Sequence, residues 1–418
     1  MSKNPIRMTF IIPDMSWLYD YKAQFPLGIL YLAEVLKKKA CRPLIFDTNR
    51  NPLSKLPDSE IYAFSSVWNT YQSCVKLAGE IKALRPESKI IIGGVHPTLD
   101  SANIDAVFDS VFLGEGEETI AQYVDDVRAG SVRRFYEAKT PIDLAELFPD
   151  RTILPEEYLR TQSIFTGGAQ FAPHGATSIL FSRGCPFKCA FCSSPRLSGQ
   201  RVRLRPIPAI VREIEGIIQN YKIRQFRVQD DTFTLNKSYT LDLCRALRPL
   251  QIFYRCSTRV NVLDADLVQA LYESGCREIG VGIEVADDEA LRKLNKGITV
   301  AQAERAIAAA RGFPIALRCF FMMGLPFDSP ATMRNNIDFI ERNKIDNVVV
   351  GNFIPFPGSA MHDRMADFNI RAIRPDACMN FGRHLPLRPN IQRLDMSEQE
   401  HLKIMEIFYN YLIKKRFL

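Results

Sequence analysis

Three cysteines in the middle of this 418-residue sequence have the spacing of a metal-cluster motif. Cys185, Cys189 and Cys192 are arranged as C-x3-C-x2-C and closely follow the apolar run 177–181. Three thiolates hold three irons of a cubane [4Fe-4S] cluster and leave the fourth iron open to a small molecule. A structural zinc site needs a fourth protein ligand, and the next cysteine downstream is the distant Cys244. The spacing therefore favours a cluster with one reactive iron over a zinc site or three unrelated buried thiols.

This spacing resembles the cluster motif of radical S-adenosylmethionine (SAM) enzymes, in which the amino and carboxylate groups of SAM bind the open iron. Phe191, directly before the last cysteine, also fits that family, where the main chain at this position lies against the adenine of SAM. The resemblance implies that the reduced cluster cleaves SAM to methionine and a 5'-deoxyadenosyl radical. It also implies an electron donor of the flavodoxin or ferredoxin type as a partner.

Six apolar runs separated by helical patterns follow residue 176 and predict a series of βα units. They are 177–181, 224–228, 252–256, 278–283, 317–322 and 347–350. Six units fit a partial (β/α)6 barrel of the TIM type, in which chemistry takes place on loops at the carboxyl ends of the strands.

Polar and small residues follow four of these runs, and the resemblance gives them roles in binding SAM. In the family, residues at these positions bind four different parts of SAM. The resemblance gives the methionyl ammonium to Asp230 and Asp231 and the carboxylate to Arg259. It gives the ribose to Ser257 and Glu284, and the adenine to Met323 and Gly324. From residue type alone, the acidic pair also fits helix capping.

The first third of the chain predicts a second, separate sheet. Five apolar runs alternate with helical patterns at 8–12, 43–46, 61–65, 89–92 and 110–113. Continuous apolar strands separated by helices predict a parallel, Rossmann-like sheet that is covered on both faces. Ligands of such sheets bind beyond the carboxyl ends of the strands.

The loops after the third, fourth and fifth runs of this sheet resemble those of the cobalamin-binding domain that precedes many radical SAM cores. In that family the Gly-Gly-x-His and Gly-Glu-Gly-Glu loops lie along the corrin ring and its nucleotide tail. The candidate cobalamin residues are Ser65, Ser66, Trp68, Gly93, Gly94, His96, Thr98, Gly114, Glu115, Gly116 and Glu117. The D-x-H-x-x-G motif is absent from residues 1–130, which implies a cobalt without a histidine ligand from below, shielded there by Trp68. The alternative is a domain that has kept the fold and lost the cofactor.

Composition argues against several classes of partner. The formal charge of +7 is spread along the chain, and the basic clusters are not interleaved with aromatic residues as in a nucleic-acid groove. No apolar run is long enough to span a bilayer, so we expect no membrane association and a cytoplasmic location. Ten cysteines then fit reduced thiols and a metal cluster better than a disulfide framework.

We interpret the α/β chain as a cobalamin-binding Rossmann-like domain (1–130), a connector (131–175), a radical SAM core (176–355) and a C-terminal extension (356–418). The extension is predicted to be mostly helical, with an amphipathic helix over 396–414, and to determine substrate specificity at the barrel mouth. Cys378 within it is a candidate hydrogen-atom donor to a substrate radical.

The resemblance implies a cobalamin-dependent radical SAM C-methyltransferase that acts on an unactivated carbon of a small metabolite or peptide, as in natural-product biosynthesis. One alternative is radical cyclisation, ring contraction, another rearrangement or oxidation, with or without cobalamin. A third, from another class, is a non-catalytic sensor that carries the cluster.

Overall fold

The computed structural model describes residues 5–15, 22, 26–139, 142–145, 148–159, 164–373 and 387–418. The chain divides into two compact units, Met1–Gln162 and Ser163–Leu418. Each unit is built around its own six-stranded parallel sheet, which confirms the predicted fold class. Within the described residues, none of the helices combines the length and the apolar character needed to cross a membrane.

The first unit is a parallel sheet with helices on both faces. Its elements are β1 (Ile6–Ile12), α1 (Leu27–Lys38), β2 (Cys41–Asp47), β3 (Ile61–Ser65), α2 (Tyr71–Leu84), β4 (Lys89–Gly93), α3 (Val95–Leu99), β5 (Ser110–Leu113), α4 (Gly116–Ala129), β6 (Phe135–Glu137) and α5 (Glu156–Leu159). The strand order is β2-β1-β3-β4-β5-β6. β6 was not predicted, because a strand of three residues is too short to give an apolar pattern.

The strands are apolar throughout because alternate residues pack under different helices. Phe10 of β1 and Ala63 of β3 pack with α1 and α4, whereas Ile11 and Tyr62 of the same strands pack with α2. The helices that follow β1 and β3 therefore cover opposite faces of the sheet. Such a reversal opens a crevice at the carboxyl ends of these two strands, where ligands of this fold bind.

The second unit contains the barrel-like sheet. Its elements are β7 (Ala176–Ile179), β8 (Ser182–Arg183), α6 (Ser194–Leu197), β9 (Arg203–Leu204), α7 (Ile207–Tyr221), β10 (Gln225–Val228), α8 (Lys237–Leu247), β11 (Phe253–Thr258), α9 (Ala265–Glu273), β12 (Cys276–Glu284), α10 (Asp288–Lys293), α11 (Val300–Ala310), β13 (Ala316–Met323), α12 (Pro330–Arg342), β14 (Val348–Asn352), α13 (Ala360–Asp363), β15 (Ile370–Ala372), β16 (Ile391–Arg393) and α14 (Glu398–Lys415). The parallel strands follow the chain in the order β7-β10-β11-β12-β13-β14, as in a partial barrel.

The described part of the C-terminal extension is not only helical, because β15 and β16 form a small antiparallel sheet. The predicted amphipathic helix corresponds to α14. It begins with a capping box in which Ser397 and Glu400 bind each other's backbone N–H groups. Its Phe408 packs edge-on against Phe321 of β13, with ring centroids 5.9 Å apart. The helix thus covers the last part of the barrel sheet.

The predicted connector contributes to both units. The Asp150 N–H donates to Leu30 O of α1 at 2.9 Å, and the Tyr158 hydroxyl donates to buried Asp47 of β2 at 3.1 Å. Further along, the Thr166 N–H donates to Glu278 of β12 at 2.7 Å. Residues 148–159 therefore belong to the packing of the first unit, and the segment around Thr166 to that of the second.

Candidate cofactor sites

The loop that carries the three cysteines starts from the short antiparallel pair β8 and β9. Gly184, directly before the first cysteine, has φ +101°, and a Cβ there would lie 2.4 Å from the carbonyl oxygen of Arg201. The N–H of Cys185 donates to Gly199 O at 3.1 Å. Because a side chain at position 184 would collide with backbone, this glycine fixes the approach of the cysteine loop.

The second half of the cysteine loop is held by two distant segments of the same unit. The Ala190 N–H donates to Leu294 O at 2.7 Å, and the Asn295 side chain donates to Lys188 O at 2.8 Å. From the other side, the Met361 N–H donates to Ala190 O at 2.9 Å. The loop is therefore clamped between the turn after α10 and the start of α13.

The cysteine loop lies at the carboxyl end of the sheet, where Cys185 Sγ is 3.9 Å from the Thr232 hydroxyl in the loop after β10. Cys185 and Cys189 are 9% and 8% exposed. Burial raises the pKa of Cys192, and the neighbouring Cys189 adds to that rise, so these two thiols are within electrostatic reach of each other. Among the described residues, no three His, Cys, Asp or Glu side chains form a group suited to one metal ion. A cubane distributes its thiolates over three different irons, so the arrangement fits a cluster better than a mononuclear site.

The acidic pair after β10 divides into a buried and an exposed member. Asp230, 4% exposed, accepts hydrogen bonds from the Phe181 N–H at 2.8 Å and the Ser182 hydroxyl at 2.5 Å. Burial raises the pKa of Asp230 to about 7. Asp231 is exposed and accepts a hydrogen bond from the Ser194 hydroxyl at 3.1 Å, two residues after the last cysteine. Asp230 thus anchors the strand that leads into the cysteine loop, and Asp231 has the more accessible carboxylate.

Arg259 contacts the cysteine loop directly. Its Nη1 donates to Cys189 Sγ at 3.4 Å, its Nη2 donates to Lys296 O, and its Nε donates to Asn261 at 3.3 Å. The guanidinium carbon lies 3.7 Å from the ring centroid of Phe187. These bonds use three of the five N–H groups of an arginine, and binding of the SAM carboxylate by the remainder stays a prediction.

Glu284, at the end of β12, forms a buried ion pair that the sequence did not suggest. Its backbone is left-handed with φ +67°, next to a register shift between β12 and β13. The Lys296 ammonium donates to Glu284 Oε1 at 2.6 Å and lies 5.6 Å from the ring centroid of Phe191. A Cβ on Gly282 would lie 2.2 Å from that oxygen and 2.7 Å from the ammonium, so the pair fills the space left by this glycine. Strained backbone of this kind is common at functional sites.

The turn Leu294–Gly297 is the part of the site that sequence reasoning missed. It holds the cysteine loop, receives Arg259 and supplies Lys296 to Glu284. The available signal was the order Asn295-Lys296-Gly297 between two helices, since Asn295 and Gly297 both have positive φ.

The remaining predicted SAM residues lie at the same end of the barrel sheet. The Ser257 carbonyl accepts from the Phe233 N–H at 3.1 Å, which ties β11 to the loop after β10. Met323 is fully buried, and the Gly324 N–H donates to buried Asp328 at 2.7 Å. The structure gives these residues defined backbone roles, and their contacts with SAM stay predictions.

In the first unit, the loops after β3, β4 and β5 are fastened to one another. Gly94 has φ +99°, and a Cβ there would lie 2.8 Å from Ser66 O and 3.1 Å from the Ser65 hydroxyl. The Thr98 hydroxyl donates to Gly94 O at 2.7 Å and accepts from the Gly114 N–H at 2.9 Å. The predicted residues of the three loops therefore form one rim at the carboxyl edge of the sheet.

The remaining predicted residues of this rim are tied to its surroundings. A Cβ on Gly93 would lie 3.2 Å from Phe112, and one on Gly116 would lie 3.0 Å from Leu32 of α1. Glu115 accepts a hydrogen bond from the Ile142 N–H at 3.2 Å, and Glu117 is buried in the first turn of α4.

His96 and Trp68 pack together on this rim. The His96 ring stacks on Tyr71 at 3.9 Å between centroids and lies 4.8 Å from Trp68. It is 5% exposed, burial lowers its pKa, and neither ring nitrogen has a hydrogen-bond partner among the described residues. Val67 and Val95, in the same two loops, are 44% and 37% exposed. Exposed apolar side chains beside an unsatisfied imidazole fit a large cofactor that is partly apolar and partly polar, as cobalamin is.

Cys378, the candidate hydrogen-atom donor in the C-terminal extension, falls outside the described residues. The expectation that Trp68 shields the lower face of cobalt also stays a prediction, although its contact with His96 is defined.

Comparison with known families agrees with both units. Residues 179–340 match the family model of the radical SAM superfamily, and residues 22–124 match that of the B12 binding domain. An uncharacterized methyltransferase of Pyrococcus horikoshii is 25% identical over 415 residues, covering 92% of this chain and 86% of the relative. An anaerobic magnesium-protoporphyrin IX monomethyl ester cyclase of Rubrivivax gelatinosus is 24% identical, covering 82% of this chain and 66% of the relative.

A solved structure shares the fold over nearly the whole chain. It is the radical SAM methyltransferase TsrM of Kitasatospora setae, determined with cobalamin and a [4Fe-4S] cluster bound. The TM-score is 0.73 at 16% identity, covering 97% of this chain and 85% of that protein. This likeness shows the fold, and the matches to the radical SAM and B12 binding family models support the predicted cofactor set of a [4Fe-4S] cluster, SAM and cobalamin.

Proposed function

This chain is a cobalamin-dependent radical SAM enzyme, and from that premise we propose that it is a methyltransferase acting on an unactivated carbon of a small molecule. The observation that carries the proposal is the presence in one chain of a clamped cysteine loop and a cobalamin-type rim. The Pyrococcus horikoshii relative, which matches over most of both chains, is called an uncharacterized methyltransferase, and this supports the same reading.

The residues of the second unit would hold and tune the cluster. Cys185, Cys189 and Cys192 would each bind one iron, which leaves the fourth for SAM. Arg259 donates to Cys189 Sγ and so places a positive charge beside one ligand. Hydrogen bonds to cluster sulfurs favour the reduced state, and the chemistry supplied by the bound, reduced cluster is one-electron cleavage of SAM.

The same end of the barrel would bind SAM. Asp231 has the accessible carboxylate of the acidic pair and lies beside the cysteine loop, so it suits the methionyl ammonium better than buried Asp230. Glu284 would accept the ribose hydroxyls while the hydrogen bond from Lys296 holds its carboxylate in place. Phe191, close to the Lys296 ammonium, would lie against the adenine.

The rim of the first unit would hold cobalamin, which supplies a transferable methyl group when bound. Val67 and Val95 would provide apolar contact, and His96, neutral and buried, would offer its ring nitrogens to polar groups of the cofactor. The main-chain bonds among Gly94, Thr98 and Gly114 would keep this rim rigid.

The test is anaerobic reconstitution with iron, sulfide and hydroxocobalamin, followed by incubation with a reductant and SAM labelled in its methyl group. We expect about four irons and one cobalt per chain, and S-adenosylhomocysteine that forms only when cobalamin is present. Formation of 5'-deoxyadenosine without S-adenosylhomocysteine, with or without cobalt, would instead favour rearrangement or oxidation. Absence of both products from a fully loaded protein would favour the sensor.

A further inference from the structure

The loop after β10 places one more polar side chain against the cysteine loop. Thr232 directly follows the acidic pair, and its hydroxyl oxygen lies 3.9 Å from Cys185 Sγ. The residue is 5% exposed, and within the described residues the Cys185 sulfur is the one hydrogen-bond partner of this hydroxyl. Because a buried hydroxyl without a partner is costly, this contact gives Thr232 a role at the sulfur.

The neighbours of Thr232 on either side fix its position. Asp230 accepts a hydrogen bond from the Ser182 hydroxyl at 2.5 Å, which ties it to the strand that leads into the cysteine loop. The Phe233 N–H donates to Ser257 O of β11 at 3.1 Å, and the Phe233 side chain is buried. The hydroxyl of Thr232 is therefore held between two anchored residues and needs no rearrangement to reach the cysteine.

The other threonine of this loop has a structural role. The hydroxyl of Thr234 is hydrogen-bonded to the hydroxyl of Thr258 on β11, and both side chains are buried. These two hydroxyls satisfy each other, whereas Thr232 has no oxygen or nitrogen partner among the described residues. Contact with sulfur is thus particular to Thr232 and not shared by the buried threonines beside it.

Iron binding would set the direction of this hydrogen bond. A cysteine bound to iron is a thiolate and has no proton, so only the Thr232 hydroxyl can donate. Hydrogen bonds to an ionised acceptor are shorter and stronger than neutral ones, so the 3.9 Å contact would tighten once Cys185 is a thiolate. The reduced cluster carries one more negative charge than the oxidised cluster, and a donor at a cluster sulfur therefore favours reduction.

We propose that Thr232 is a positioning residue that acts on the cluster through Cys185: its hydroxyl donates to the thiolate and raises the reduction potential. The proposal rests on the proposed function, because it requires a cluster held by Cys185, Cys189 and Cys192. It adds a neutral donor to the cationic one that Arg259 gives to Cys189. The loops after β10 and β11 would then each supply a donor to a different thiolate.

The test compares variants of the anaerobically reconstituted protein in the absence of SAM. Thr232→Val keeps the size of the side chain but removes the hydroxyl, and Thr232→Ser keeps the hydroxyl. Thr240→Val is the matched control, because it removes another buried hydroxyl, one that donates to Asn236 O within α8. In each protein the iron is counted, and the reduction potential is measured by following the electron paramagnetic resonance signal of the reduced cluster in a redox titration.

We expect Thr232→Val to bind as much iron as the parent protein but to be harder to reduce. Losing one hydrogen bond should lower the equilibrium constant for reduction by about threefold to tenfold. For a one-electron couple this corresponds to a fall of about 30 to 60 mV in the reduction potential. Thr232→Ser should keep most of the parent potential, and Thr240→Val all of it.

An unchanged potential in Thr232→Val would overturn the proposal. An equal fall in Thr232→Ser would also overturn it, because the effect would then come from packing and not from the hydroxyl. Thr232→Ala, which lacks the hydroxyl as well, takes the place of the valine variant if that variant does not fold. Loss of the cluster from both variants would show a role in assembly in place of tuning and would likewise contradict the proposal.

The same measurements separate this proposal from the proposed function. A parent protein that takes up no cluster would refute the proposed function itself. A parent protein with an intact cluster, together with a valine variant of the same potential, would refute only the role of Thr232.

Discussion

Gly282→Ala should disrupt SAM binding without touching the cluster ligands. The new Cβ would lie 2.2 Å from Glu284 Oε1 and 2.7 Å from the Lys296 ammonium, distances that no real contact tolerates. Because the Glu284 backbone is fixed by a left-handed conformation and a register shift, the carboxylate has to rotate away from Lys296. The alanine therefore removes a buried, charge-assisted hydrogen bond while adding only one methyl group.

The size of the effect follows from that bond. A hydrogen bond to a charged group contributes about 1.5–3 kcal/mol. If SAM binds to the Glu284 carboxylate, losing that much binding free energy corresponds to about a 10- to 150-fold loss of SAM affinity. Global stability should fall by a comparable amount, because both partners are buried. Iron content should stay normal, since position 282 lies outside the cysteine loop.

The assay is equilibrium binding of SAM to the reconstituted, unreduced protein, with iron content and urea unfolding measured in parallel. Gly216→Ala is the matched control, because a Cβ at this position of α7 meets nothing within 4 Å. In a helix interior it should leave SAM affinity unchanged and raise the free energy of unfolding by up to about 1 kcal/mol. A Gly282→Ala protein with normal iron, lowered stability and undiminished SAM affinity would refute the assignment of Glu284 and Lys296 to the SAM site.

Four other substitutions test the remaining assignments. Cys189→Ala should abolish the charge-transfer absorbance of the cluster and reductive SAM cleavage, and surviving cleavage would contradict the ligand assignment. Arg259→Met should retain iron but lower the reduction potential of the cluster in a redox titration, because it removes the N–H···S bond to Cys189; an unchanged potential would argue against that role. In Asp230, burial raises the pKa from 3.8 to about 7, so folding favours the protonated acid and stability should fall as pH rises from about 4 to about 7. In urea unfolding, Asp230→Asn should make the free energy of unfolding depend less steeply on pH over this range, by up to about 1.4 kcal/mol per pH unit. Equal pH slopes for the parent protein and the variant would show that the acid is not buried in solution. Trp68→His should change the cobalt absorption spectrum of the cobalamin-loaded protein, and an identical spectrum would place Trp68 away from the corrin.

The strands and the cysteine loop were predictable because their signals are local. The continuous apolar run of Ile90, Ile91 and Ile92 must be buried on both faces, and β4, which contains it, lies in the middle of its sheet as expected. The C-x3-C-x2-C spacing likewise needs no information from the rest of the chain.

Side-chain partners across the fold were not predictable in the same way. Asp230 and Asp231 are adjacent in sequence, yet one bonds to Phe181 and Ser182 and the other reaches solvent. Lys296 lies 12 residues after Glu284 with α10 between them, and nothing local marks it as an ion-pair partner. Such pairs depend on strand register and loop closure, which a sequence pattern does not specify.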